Sequence, residues 1–229
     1  MSVREASHLL GVTEKQVQHL GRRGEVRYVA RGLLDGASVR AIHAARQGRH
    51  TRGWSGRTAW AAISLLSGHQ ADWLGQGQVS RLRSRLRIIG SDDLVASTRN
   101  RAAVSRFTGH QSATGRIAGD SSTVERRALP GLVGQNQRAQ TDWYIDARDE
   151  DYLVRTYGLR SNARGDFILR AVETEDLLNK RGVTIQLVIG LMMDDVLTAL
   201  DSATSDDARE RGVAMRVLDD ALDRFRRDI

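Results

Sequence analysis

Two helix-start signatures follow one another within the first sixteen residues, and they leave this segment little choice of fold. Ser2 with Glu5, and Thr13 with Gln16, each set a hydroxyl three residues before a Glu or Gln. In that arrangement the two side chains reciprocally satisfy free N–H groups at a helix start. Behind the first pair, Val3, Ala6, Leu9 and Leu10 recur at helical spacing up to Gly11; behind the second, Val17 and Leu20 supply a buried side before Gly21 and Gly24. Two short helices joined by a three-residue turn are predicted, a helix-turn-helix whose second helix is free to enter a major groove. From Val26 the pattern alternates, with Val26, Tyr28 and Ala30 against Arg27, Val29 and Arg31, before Gly32 turns the chain into Leu33 and Leu34. This reads as a two-stranded wing. Asp35 is placed to cap a third helix carrying Val39, Ile42 and Ala45 inward.

The formal net charge of +7 is distributed unevenly. Residues 1–130 hold 21 Lys and Arg against 9 Asp and Glu, whereas residues 131–229 hold 14 against 19. A basic segment favours a polyanion, because each phosphate contact releases condensed counterions, and an acidic one must serve otherwise. The competing reading is solvated surface charge. There is no cysteine, which excludes disulfides and thiolate metal sites and fits a reducing compartment. The densest apolar stretches, Trp60–Leu66 and Leu187–Met193, fall far short of the roughly 20 residues of a membrane helix. No signal-peptide pattern precedes Glu5 and His8, so a cytoplasmic location without membrane contact is expected.

The overall expectation is a mainly helical α+β chain. It comprises a winged helix-turn-helix over residues 1–48, a basic helical middle region over 53–130 and an acidic mixed α/β domain over 131–229. Gln47–Gly56 lacks periodicity and reads as a joint. Ser55 starts a helix with Ala59, Ile63 and Leu66 in phase and Trp60 near the edge of that face. A second, very basic helix runs from about Gly77 to Ile88, with Val79, Leu82 and Leu86 in phase. Strands are expected near 102–107, 143–145 and 166–172, and a short helix over 149–158 with Leu153 and Tyr157 inward. Val183–Leu191 is predicted to begin as a buried strand before merging with a helix over 192–200. The last helix, opened by Ser205, repeats Ala208, Gly212, Met215, Leu218, Leu222 and Phe225 at three or four.

If Thr13 opens the second helix, Glu14, Lys15, Gln18, His19, Arg22 and Arg23 project away from Val17 and Leu20. Lys15 and Gln18 are the candidate base readers; Arg22, Arg23, Arg27 and Arg31 suit backbone phosphates, and Tyr28 suits either task. Arg49, Arg52, Arg57, Arg81 and Arg85 are candidates for further phosphate contacts. Trp54, Trp60 and Trp73 read as core or interface residues before base-stacking platforms. The alternative is an amphipathic helix pair used for protein contacts.

No enzyme is predicted, and no catalytic residue, cofactor or metal site is assigned. Neither Lys15 nor Lys180 follows a phosphate-binding glycine loop, and Gly75-Gln76-Gly77 lacks the third glycine of a dinucleotide fingerprint. The six histidines show no HExxH spacing. Asp149 and Asp151 form the Asp-x-Asp pattern of metal-dependent nucleotidyltransferases, but the Gly-Ser helix start such enzymes need stands far upstream at Gly90-Ser91. The acidic half is left with partner docking or dimerisation.

The run Val3-Arg4-Glu5-Ala6-Ser7-His8-Leu9-Leu10-Gly11-Val12-Thr13, with Val17 and Arg23-Gly24-Glu25, resembles the winged helix-turn-helix of MerR-like and excisionase-like DNA-binding proteins. Beyond it, Ser55-Gly56-Arg57-Thr58-Ala59-Trp60-Ala61-Ala62, Ser80-Arg81-Leu82-Arg83-Ser84-Arg85-Leu86 and Tyr157-Gly158-Leu159-Arg160 before Gly165-Asp166-Phe167-Ile168-Leu169-Arg170 resemble AbiEi-type antitoxins of type IV toxin-antitoxin systems. The resemblance implies an antitoxin that represses its own operon through double-stranded DNA and opposes a nucleotidyltransferase-like toxin. A stand-alone regulator or a recombination directionality factor is the alternative implied by the first segment alone. Residues 108–142 lie outside the resemblance.

Overall fold

The computed structural model describes residues 1–22, 26–30, 32–36, 38–39, 42, 53–129, 141–174, 182–205 and 207–227. These fall into two compact units, Met1–Arg52 and Gly53–Ile229. The chain has the expected mainly helical α+β character.

In the first unit, α1 (Val3–Leu10) and α2 (Glu14–Arg22) precede a hairpin of β1 (Tyr28–Ala30) and β2 (Leu33–Leu34). Both helix starts form as read. Ser2 Oγ accepts from Glu5 N at 3.1 Å while Glu5 Oε2 accepts from Ser2 N at 2.7 Å. Thr13 Oγ1 likewise accepts from Gln16 N at 3.3 Å, and Gln16 Oε1 from Thr13 N at 3.0 Å. Gly11, at φ 62°, supplies the left-handed turn that lets α2 fold back. Ala6, Leu10, Val17, Leu20, Val26, Leu34 and Val39 make the core. Gly36, Ser38, Val39 and Ile42 are helical, in keeping with a third helix after Asp35, while Ala45 lies outside the described residues.

The second unit centres on a mixed sheet of order β4-β5-β7-β3-β6. Its strands are β3 (Ala103–Thr108), β4 (Thr123–Glu125), β5 (Thr141–Asp146), β6 (Arg160–Ser161) and β7 (Phe167–Val172). β5 and β7 run parallel; the other pairs are antiparallel. One face carries Trp143, Ile145, Phe167, Leu169 and Ala171 onto α6 (Ala113–Ala118) and α7 (Glu150–Thr156) through Ile117 and Leu153. Tyr144 and Val172, of opposite strand parity, join the helical core instead. That body comprises α3 (Gly56–Leu66), α4 (Gln76–Ile88), α5 (Ser91–Ser97), α8 (Ile185–Met192), α9 (Asp195–Ser202) and α10 (Ala208–Arg227).

This topology corrects the boundary expected at residue 130. β3 and β4 precede it and β5 and β7 follow it, yet they pair in one sheet, so 53–229 is one unit. Two local expectations are also corrected. Trp60 is buried rather than at a face edge, because every residue from Ala59 to Leu66 is enclosed; its indole donates to the Arg101 carbonyl at 2.8 Å and meets the Tyr144 ring edge-on at 5.9 Å. Within the segment at 183–191 the chain is helical from Ile185, not a strand running into a helix. Thr184 caps Leu187 N at 3.2 Å, and Val188, Leu191 and Met192 bury themselves at helical spacing, which outweighs the local β propensity.

Between sheet and helices lies a buried ionic cluster. Asp201 on α9 accepts hydrogen bonds from Arg101 Nη2 at 2.5 Å, Arg170 Nη1 at 3.1 Å and Tyr144 Oη at 2.9 Å. Arg170 also grips Asp142 with two bonds, at 2.7 and 2.9 Å. Arg126 bridges Ser202, Glu210 (2.9 Å) and the flank of Asp142. Burial alone would raise the Asp201 carboxyl, but the guanidiniums of Arg101, Arg170 and Arg126 outweigh it and hold the group below the ordinary carboxylate value. Burial together with the Asp201 charge pushes the Tyr144 hydroxyl up, so it remains a donor. Arg101 and Arg126 come from the basic part of the sequence, Asp142, Asp201 and Glu210 from the acidic part. The sign asymmetry is thus partly spent inside the fold.

Asp201→Asn leaves the buried Arg101 without a counter-charge and takes one of their carboxylates from Arg170 and Arg126, and it is predicted to cost about 3–5 kcal/mol in urea unfolding. Because the folded carboxyl is depressed, its contribution is present above the unfolded value near pH ~4 and is lost as pH falls through the lower folded value. Wild-type stability should therefore decline on acidification below about pH 4, and the variant should decline less steeply.

Candidate nucleic-acid interface

On α2, Lys15, Gln18, His19 and Arg22 stand at spacings of three, one and three. At 100° per residue they form one stripe opposite the buried Val17 and Leu20. All four are exposed, as are Thr13 and Glu14 on the flank. The nine-residue helix is about 13.5 Å long, and a helix of this diameter enters a major groove about 12 Å wide. Among the described residues Lys15 and Arg22 make no ion pair, so both cations are open to an external anion.

The hairpin is fixed to this helix by one close approach. A Cβ on Gly21 would lie 2.3 Å from Cε2 of Tyr28, so the tyrosine ring rests on the last turn of α2 where only glycine leaves room. Gly21, expected with Gly24 to end the second helix, lies inside α2, which continues to Arg22. Val29 and Leu33 are 72% and 50% exposed and present an apolar hairpin surface that charge counting overlooks. Arg27 is exposed, but its guanidinium lies 4.0 Å from Asp35 and its backbone N–H donates to Ser38 Oγ at 3.1 Å. It is therefore partly neutralised at home. Arg23, Arg31, Arg49 and Arg52 lie outside the described residues.

The remaining candidates belong to the second unit. Arg81 and Arg85 are exposed one turn apart on α4. Arg57 does not stand free for phosphate. Its Nη2 donates to the Trp73 carbonyl at 2.6 Å, and Trp73 Nε1 returns a bond to the Arg57 carbonyl at 3.1 Å. Trp54 and Trp73 pack partly buried against the helical core.

Asp149 sits on the turn before α7, with burial, Asp146 and Asp120 raising its carboxyl, while Asp151 is exposed on the first turn of that helix. The neighbouring acids have fixed partners. Arg148 and Thr174 hold Asp146 down at about 2, and Asp120 accepts from Tyr157 Oη at 2.7 Å, which pushes that hydroxyl up to about 12. Among the described residues no three His, Asp or Glu side chains are placed to hold a metal ion, and no helix is long and apolar enough to cross a membrane. Comparisons with protein families, curated proteins and solved structures give no match to this chain.

Gly21→Ala should displace the Tyr28 ring and destabilise the first unit by about 1–3 kcal/mol. Thermal unfolding and the Tyr28 ring resonances in NMR report the two effects.

Proposed function

We propose that this chain is a sequence-specific double-stranded DNA-binding regulator, with Thr13–Arg22 laid into the major groove and the hairpin against the flanking backbone. The observation that carries the reading is the exposed Lys15, Gln18, His19 and Arg22 stripe, set opposite the buried side of α2. Gln18 can donate to and accept from a base edge, and Lys15 can donate to a guanine. Arg22, at the other end of the stripe, is suited to a phosphate as the groove wall rises. The hairpin, held against α2 by the Tyr28–Gly21 contact, would set the angle of entry. In the context implied by the resemblance to AbiEi-type antitoxins, the regulator represses its own operon and opposes a nucleotidyltransferase-like toxin. The second unit is then available for that protein partner or for a second copy.

The test is a fluorescence-anisotropy titration against DNA from the chain's own upstream region and against scrambled duplex at several salt concentrations. Lys15→Ala should cost about 1–3 kcal/mol on the specific site alone, whereas Arg22→Ala should weaken all duplexes and lower the salt slope by about one. Equal, salt-independent binding by wild type and both variants overturns the proposal.

A further inference from the structure

The four arginines at 81, 83, 85 and 87 do not share one face of α4. Taking Leu82 and Leu86 as the buried stripe, Arg81 and Arg85 fall on one flank and Arg83 and Arg87 on the other. The second flank borders a concavity. Gln76, Ser80, Arg83 and Arg87, spaced four, three and four, line one wall of an open groove of about 730 Å³ whose apolar surface comes from Leu65, Ala71, Leu74 and Val79. That volume is within the range of small-molecule sites.

We infer that this groove in the second unit binds a small amphipathic monoanion, its acidic head between Arg83 and Arg87 and its apolar body on Leu65, Leu74 and Val79. Two guanidiniums one helical turn apart repel each other, and neither has a hydrogen-bonded or ion-paired partner among the described residues. One carboxylate or sulfonate between them relieves that repulsion with charge-assisted hydrogen bonds. The Arg83 guanidinium is already positioned, 6.0 Å from the Phe225 ring centroid, which lowers the entropy lost on binding. The wall bearing Arg87 is also held, because Arg226 donates to the Arg87 carbonyl at 3.0 Å and to the Ile89 carbonyl at 2.7 Å. Asp72, the one acidic residue of the lining, disfavours a ligand with a second negative charge. The groove thus differs in kind from a phosphate-tracking surface, and the inference is independent of the DNA-binding proposal.

The probe is 8-anilinonaphthalene-1-sulfonate, a monoanion with an aromatic body, titrated by fluorescence against the full chain. Wild type should bind saturably, and Arg83→Gln with Arg87→Gln should lose about tenfold in affinity. Arg81→Gln with Arg85→Gln, an equal loss of charge on the flank that does not line this groove, should stay within about twofold. Ser80→Trp, which fills the groove and keeps every charge, should abolish binding, and the uncharged N-phenyl-1-naphthylamine should bind at least about tenfold more weakly than the sulfonate. Circular dichroism checks that each variant is folded. Equal losses in the two double variants, full binding by Ser80→Trp, or displacement of the dye by an oligonucleotide more readily than by octanoate overturns the inference.

Discussion

The second unit depends on a carboxylate that has no access to water. Asp201 is fully enclosed, and a lone charge in that position would be untenable; it persists because three arginines and a tyrosine converge on it from different elements. Arg101 arrives from the turn after α5, Arg170 from the central strand β7, Arg126 from the segment after β4 and Tyr144 from β5. Arg126 and Arg170 also meet Asp142, and Arg126 meets Glu210, so three arginines face three carboxylates. Such a cluster adds little net stability over an apolar packing of the same shape, but it tolerates few other arrangements of sheet and helices. It ties α9 to the sheet in one register.

This cluster changes the meaning of the charge pattern. Along the sequence, basic and acidic segments look like two surfaces awaiting two partners. In the fold, part of each charge surplus is consumed by the other. Among the cations that remain exposed are the α2 stripe in one unit and the arginines of α4 in the other.

Local structure was the legible part of the sequence. The capping pairs of α1 and α2, the turn at Gly11 and the Ser55 start of α3 rest on contacts within four residues, which spacing reveals directly; of the apolar period of α10, Leu218, Leu222 and Phe225 are buried, while Ala208, Gly212 and Met215 are not. Assembly was not legible. Nothing near Asp142 or Arg170 indicates that these two residues, 28 apart, share two hydrogen bonds, and the strand pairs that cross residue 130 leave no periodic trace. For the interface, the outward side chains of α2 followed from the helical angle alone. The closeness of Tyr28 to Gly21 and the self-bonding of Arg57 required the tertiary fold, since each joins residues from different elements.

The sequence distances within the ionic cluster also bear on how the chain is made. Arg101 and Asp201 are 100 residues apart, and Glu210 completes the set nine positions later. Contacts in the first unit close within about forty residues, so this unit can assemble while the rest is still being synthesised. The second unit must wait for nearly its whole length. During that interval the carboxylate that joins Arg101, Arg126 and Arg170 is still missing, so sheet and helices cannot lock together until α9 has emerged.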